Sequence, residues 1–520
     1  MMGSAILAID QGTSNTKTLL VAPDGSILFT RAQAMEIAYP KPGWVEQSAT
    51  DIWNTVVALI AGVAEAGMTA SVAALAISNQ RETVVLWDAA SGEPIGPAIV
   101  WQCGRSADRC AALRAAGHAD DIIARSGLAV DPMFGAGKIA WLLDSVPEAR
   151  DRAARGELRC GTIDTWLVWK LTGGAVHATD HSNASRTQLL NLDTLDWDPE
   201  LARMFDVPLS ILPGIRASDA GFGSLAAGAT ALPAGIPIQA VLGDSHAALF
   251  EHAATGAAVK ATIGTGSSLM ATTPARVHSA HGLSSTIAWS RGDRVQHAIE
   301  GNISVSGHAA AFAAEMLGLS DGDALTKLAT TVDDSGGVVF VPALAGLGAP
   351  HWSSDARGSI SGLTLASRPA HVARAALEAI ALQIGDVFDA IEADLGTHFT
   401  DVSVDGGAAR NDMLVQLVAD LLDRTVLRPH IAEASALGVA RLAADALGLR
   451  SSGTPTPTDR FEPNMPASRR HAIRHHWHDA VARATGPARP AGTAHAQSQR
   501  QGGHSTLRTD PPRREGATTK

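Results

Sequence analysis

The stretch Ala8–Val21, AIDQGTSNTKTLLV, places an aspartate inside an otherwise apolar run, follows it with glycine and small hydroxyl residues, and then turns apolar again. A carboxylate at the end of a strand that enters a core must be solvated, paired or put to use, because an unpaired buried charge is costly or shifts its pKa. The plain alternative is a hairpin with a polar tip. Around this stretch, residues 5–101 read more as strands than helices: AILAID, TKTLLV, VAALAIS, TVVLWD and PAIVW, parted by Gly, Pro, Asp and Asn turns. One amphipathic segment, DIWNTVVALIAGVAEAG, predicts a helix among them, and the whole reads as a mixed sheet covered by helices. A second block opens near Pro237 with IPIQAVLGD, AVKATIGTGSSLMAT and VVFVPAL. In both blocks a strand of Ala, Val and Ile meets a Gly-Thr turn and a second strand. This predicts a weak internal duplication, two similar lobes with a cleft between them.

Composition narrows the function classes. With 520 residues and 46% hydrophobic content the chain has the length for two or more cores. Its net charge of −11 argues against an extended nucleic-acid surface, which would need lysine and arginine to neutralise phosphates. No apolar run is long enough for a spanning helix, and the opening MMGSAILAID lacks a signal-peptide pattern, so a cytoplasmic location is expected. Cys103, Cys110 and Cys160 have no CxxC spacing and predict neither a disulfide framework nor a zinc site. The four histidines of RRHAIRHHWHDAVARA, at 471, 475, 476 and 478, lack other ligands and are expected on the solvated face of a terminal helix. Residues 486–520, rich in Gly, Pro, Ser, Thr and Arg, are expected to form a disordered tail.

Four glycine turns carry the candidate chemistry. Backbone N–H groups in a tight turn form an anion-binding concavity, which adjacent hydroxyls and a cation reinforce. Gly12, Thr13, Ser14, Asn15 and Lys17 form one such set, and Gly264, Thr265 and Gly266 another. A third is VDGGAARND, where Gly407 permits close approach and Asn411 can cap a helix, although a routine strand-turn-helix connection reads the same way. The fourth is VLGDSHAALF, with Asp244 at the carboxyl end of a strand and Ser245 after it. Asp244 can act there as a general base or simply as a helix N-terminal charge. Arg81 and Glu82 stand side by side at a strand-to-strand turn with Trp101 after a later strand, a set able to hold vicinal hydroxyls and cover carbon, or to make a surface ion pair. GAGKI near Lys138 fails as a P-loop because it lacks the Ser or Thr after lysine and the earlier glycine.

Ten segments in one order, DQGTSNTK, YPKPGWVEQ, SNQRET, IVWQC, GTIDTWLVWKLTGG, NASRTQLLNLDTLDWD, GDSHAALF, GTGSS, GLGAPHWSSDARGSISGLT and VDGGAARND, resemble the FGGY family of carbohydrate kinases over residues 6–481. The resemblance implies an α/β fold of two ribonuclease-H-like, actin-like ATPase lobes, here 1–247 with the polyol site and first phosphate turn and 248–485 with the nucleotide site. It implies an ATP- and Mg2+-dependent kinase acting on a primary hydroxyl of a small polyol, glycerol first, with a larger polyol or ketose as the alternative. A non-catalytic actin-like ATPase is the remote one. It further implies a homo-oligomer, with no nucleic-acid or membrane partner. By the same resemblance Asp10 serves the magnesium, Thr13, Ser14, Asn15, Lys17, Thr265, Gly307, Gly407 and Asn411 serve the nucleotide, Asp244 is the base, and Arg81, Glu82 and Trp101 line the polyol pocket. The departures fall on the substrate side: Met133 replaces a tyrosine, Ser245 a glutamine and Ser268 an aromatic wall. These imply a larger, more polar pocket in which the two serine hydroxyls pair with substrate oxygens and a four-carbon polyol fits.

Overall fold

The computed structural model describes residues 4–254, 256–431, 433–449 and 456–486, so the tail expected over 486–520 lies outside the described residues apart from Gly486. Two sheets organise it. In the first, strands Ile27–Ala34, Asn15–Val21, Ala5–Gln11, Val72–Asn79 and Ile238–Gly243 lie side by side in that order. The first three are antiparallel neighbours and the last two run parallel to Ala5–Gln11. In the second sheet, Arg294–Ile303, Ser267–Thr273, Val259–Ile263, Asp401–Asp405 and Thr425–Pro429 repeat that order and those directions. Ser284–Arg291 and Thr458–Phe461 extend its two edges. The duplication predicted from the Gly-Thr turns is therefore a duplication of a whole sheet, and each turn joins the first two strands of its copy. This is the two-lobed ribonuclease-H-like architecture.

The alternation of the first strand decides how that lobe is covered. Ala5, Leu7 and Ile9 point into a core with Ile52, Val56 and Ile60 of helix Ala49–Glu65 and with Trp166 and Leu167 of helix Ile163–Leu171. Ile6 and Ala8 point the other way, into a core with Ala247 and Phe250 of helix Asp244–Ala253 and with Ala436, Val439 and Ala443 of helix Ala434–Ala446. Both faces are covered, which is why the strand reads as nearly continuous apolar sequence. Helix Ala434–Ala446 comes from the last part of the chain yet packs on the first sheet, so packing does not follow the linear division at 247/248. The approach is close: a Cβ on Gly438 would collide with the Ala247 carbonyl oxygen.

Two expectations about the blocks are corrected. Ile238–Gly243 does not open the second sheet; it pairs with Val72–Asn79 at the edge of the first. A parallel partner more than 150 residues away leaves no local trace in sequence. VVFVPAL contributes Val339–Val341 to a two-stranded ribbon with Ser359–Ser361, outside the second sheet. Val84–Asp88 and Ala98–Ile99 likewise belong to a separate four-stranded sheet. The three cysteines are buried and free. His471, His475, His476 and His478 lie exposed on helix Ala467–Thr485, as expected, and no described helix is long and apolar enough to cross a membrane.

Candidate active site

Asp10 is the next-to-last residue of its strand and shares the face of Ile6 and Ala8, so it emerges beside the amino ends of helices Asp244–Ala253 and Ala434–Ala446. Ser78 of the neighbouring strand donates to its Oδ1 at 2.9 Å. Burial pushes the Asp10 carboxyl up to about 7; the Ser78 bond and Lys17 oppose this, while the nearby charges of Asp244 and Glu433 add to it. The opening break in the strand is thus a desolvated carboxylate facing two others. Among the described residues no group of three or more His, Cys, Asp and Glu side chains is arranged to hold a metal ion. One or two carboxylates suit Mg2+, which keeps most of its waters and reaches such sites with phosphates, better than a cation needing a protein cage.

The two phosphate turns occupy equivalent places in the two sheets. Gly12 donates to the Asn15 carbonyl at 2.9 Å and closes the first, leaving Ser14 and Asn15 exposed. The Thr13 hydroxyl donates to Gln80 Oε1 at 3.2 Å and accepts from Trp101 Nε1 at 3.0 Å, so the indole ties the polyol side to this turn. Lys17 is not free: its Nζ lies 2.6 Å from Glu433, the residue before helix Ala434–Ala446. In the second turn Gly307 donates to the Gly264 carbonyl at 2.8 Å, bringing Thr265 and Gly307 together. The third turn adjoins them because Thr262 pairs with Asp405 in register. Asn411 caps helix Asp412–Leu422 through Leu414 N and also donates to Thr326 at 2.8 Å. Thr265, Gly307, Gly407 and Asn411, expected to serve the nucleotide, therefore lie on adjoining turns of the second lobe, while Thr13, Ser14, Asn15 and Lys17 belong to the first lobe.

The polyol set is built on buried charge. Arg81 and Glu82 are not a surface pair; both side chains are buried. Glu82 has φ of 59°, a left-handed conformation that costs a non-glycine residue of order 1 kcal/mol and calls for external support. That support is present: Arg186 Nε donates to Glu82 Oε1 at 2.6 Å, and the buried Lys138 ammonium donates to the Glu82 carbonyl at 3.0 Å. Lys138 also donates to the Met133 carbonyl at 2.5 Å, which places Met133 beside Glu82. Burial lowers the Lys138 pKa to about 7.

Asp244 begins its helix, accepts from Ser245 N–H at 2.6 Å, and lies 3.2 Å from Arg81 Nε. About a third of its side chain (36%) reaches solvent. Burial raises its pKa, Arg81 and the Ser245 bond oppose the rise, and Glu82 adds to it. A raised carboxylate at the carboxyl end of a strand is suited to accepting a proton.

The Ser268 hydroxyl, expected to pair with substrate oxygens, donates to Glu300 Oε1 at 2.6 Å in a buried position, because Ser268 faces Asn302 across the strands with Glu300 two residues away. Three further residues escaped the sequence reading: Glu300, Arg186 and Lys260, all fully buried, the last reaching toward the Ser245 carbonyl at 3.4 Å. A carboxylate inside the apolar strand HAIEGNI is the same signal as Asp10 in AIDQ and was available. A separate cavity of about 310 Å3, lined in part by Phe340, Glu378 and Arg469, contains none of these site residues.

The doubled sheet is that of the two-lobed actin-like ATPase fold, and the Gly-Thr turns and the buried charge around Arg81 are its candidate phosphate and acceptor sites. The family model for the N-terminal domain of the FGGY family of carbohydrate kinases matches residues 5–251, and the one for its C-terminal domain matches 259–447. The chain belongs to the FGGY family of carbohydrate kinases, phosphotransferases with an alcohol group as acceptor. It is 46% identical to a glycerol kinase of Geobacter sp. (strain M21) over 486 residues, 92% of this chain and 98% of that protein. It is 44% identical to a glycerol kinase of Thermus brockianus over 489 residues, again 92% and 98%. The crystal structure of Plasmodium falciparum glycerol kinase with ADP superposes with a TM-score of 0.85 at 30% identity, covering 93% of this chain and 98% of that one.

Proposed function

We propose that this protein phosphorylates glycerol, transferring the γ-phosphoryl group of ATP to a primary hydroxyl to give glycerol 3-phosphate and ADP. The observation that carries this reading is Asp244, a partly buried carboxylate 3.2 Å from the Arg81 fork and electrostatically coupled to Asp10. Arg81 and Glu82 orient the acceptor hydroxyls, and Trp101 covers carbon while its ring N–H fixes Thr13. Asp244 takes the hydroxyl proton as that oxygen attacks the γ-phosphorus. The exposed turn residues Ser14 and Asn15, with Lys17 and the Thr265 turn, hold phosphate oxygens. Asp10 would hold the magnesium of the nucleotide, which when bound would supply neutralising charge to the phosphates.

Ser268, small where the family resemblance implies an aromatic wall, favours a second acceptor within the same reading, a four-carbon polyol. Incubation with ATP, Mg2+ and glycerol, followed by phosphorus NMR of the product, tests the proposal. A primary phosphate monoester supports it, and hydrolysis of ATP without an organic phosphate contradicts it.

A further inference from the structure

Glu300 has no part in the proposed transfer itself, yet Arg81 and Arg186 both converge on it. It lies on strand Arg294–Ile303 of the second lobe and its side chain is fully buried. One oxygen, Oε2, meets Arg81 Nη1 at 2.9 Å and Arg186 Nη1 at 2.8 Å; the other, Oε1, accepts from Ser268 Oγ at 2.6 Å and from Asn302 Nδ2 at 2.9 Å. Every partner is a donor. Arg81 carries the contact to Asp244, and Arg186 carries the contact to Glu82. Burial alone would raise the Glu300 carboxyl; the charges of Arg186 and Arg81 outweigh burial and hold it well below the ordinary range.

The lobe origins matter. Arg81, Glu82, Arg186 and Asp244 come from the first lobe, whereas Glu300, Ser268 and Asn302 come from the second. We propose that Glu300 is a positioning residue for the acceptor site: it fixes both arginines from across the cleft, so that the grip on the polyol is complete only when the two lobes meet. Ser268 then acts on acceptor binding through Glu300, by holding the carboxylate oxygen that the arginines do not use. The inference rests on the kinase reading above and assigns roles that neither the Asp244 chemistry nor the phosphate turns require.

The test is Glu300→Gln beside Ser268→Ala and Glu300→Asp. With two donors at each oxygen position, a glutamine must turn its amide nitrogen toward one pair of them, and it supplies no charge to the arginines. The expected result for Glu300→Gln is an acceptor KM raised about 10-fold or more, with the KM for ATP within about 3-fold of wild type. Ser268→Ala, which deletes one donor, should raise the acceptor KM about 3-fold and leave the KM for ATP alone. Glu300→Asp, which keeps the charge, should fall between Glu300→Gln and wild type.

An acceptor KM within about 2-fold of wild type in Glu300→Gln overturns the proposal, as does a parallel rise of both KM values. If Glu300→Gln does not fold, Ser268→Ala decides, and an unchanged acceptor KM there overturns the proposal. Should the wild type phosphorylate no polyol at all, the kinase reading is what fails; the positioning role is then read by hydrogen exchange. Faster exchange at 78–83 and 182–188 in Ser268→Ala or Glu300→Gln, with 406–411 unchanged, supports it, and unchanged exchange at all three overturns it.

Discussion

Replacing Asp244 with asparagine isolates the proton-accepting role, because little else should change. The asparagine carbonyl still accepts from Ser245 N–H, now 2.6 Å away, and still faces Arg81 Nε at 3.2 Å. What is lost is the proton acceptor, together with one negative charge beside Arg81. Removal of a positioned general base costs roughly 10²- to 10⁴-fold, or about 2.7 to 5.4 kcal/mol of transition-state stabilisation at ~1.36 kcal/mol per decade. Since Thr265, Gly307 and Asn411 lie on other elements, ADP affinity should hold steady or tighten slightly. Coupled ADP-release kinetics with glycerol, paired with calorimetric ADP binding, measure both. The pH dependence gives a second reading: the base works ionised, and burial raises its pKa against the pull of Arg81. Activity is therefore present above that raised pKa and falls as pH drops through it, at higher pH than an ordinary aspartate would set. Turnover within a few-fold of wild type in Asp244→Asn, with the acid limb unchanged, would remove Asp244 from the proton transfer.

Three other perturbations probe the supports. Gly438→Ala should push helix Ala434–Ala446 off the Ala247 carbonyl and destabilise the protein by about 1–3 kcal/mol, so an unchanged melting temperature would refute the close packing. Lys138 has a folded-state pKa of about 7, below its unfolded value of ~10.4, so the unfolded chain binds more protons between these limits. Wild type should accordingly gain stability over Lys138→Met as pH rises from about 7 toward 10, and a gap in melting temperature that stays constant across that range would count against the lowered pKa of Lys138. Glu433→Gln should release Lys17 for phosphate and lower the KM for ATP by about 2- to 5-fold, less at high salt because the pair is partly exposed. No change at low salt would mean that Lys17 serves only the pair.

The sequence made legible what local pattern encodes. Asp10 at the end of an apolar strand, the two Gly-Thr turns and the Asn411 cap were read from their neighbours, and the doubled sheet followed from the resemblance of two hairpins. Long-range pairing was not legible. The local pattern groups Ile238–Gly243 with the strands that follow it, although the family resemblance sets it in the first lobe, because its partner, Val72–Asn79, lies far upstream. The contact of Glu300 with Arg81 spans 219 residues and that of Arg186 with Glu82 spans 104, so neither pair leaves a spacing to recognise. The bond from Ser268 to Glu300 was hidden for the same reason: its acceptor is on the neighbouring strand, two residues from its cross-strand partner. Charged groups in a folded cleft are read correctly only when their partners are known.

The central claim is acceptor-dependent phosphoryl transfer at the Arg81, Glu82 and Asp244 site. Initial rates of ADP release with saturating Mg-ATP, measured across three-, four- and five-carbon polyols and ketoses for wild type and Asp244→Asn, test it most directly. The account predicts release that depends on the added acceptor, with glycerol a substrate, a four-carbon polyol within about tenfold of it in kcat/KM, and both rates falling together in the variant. ADP release that proceeds equally without any acceptor, or that is untouched by Asp244→Asn, would contradict it.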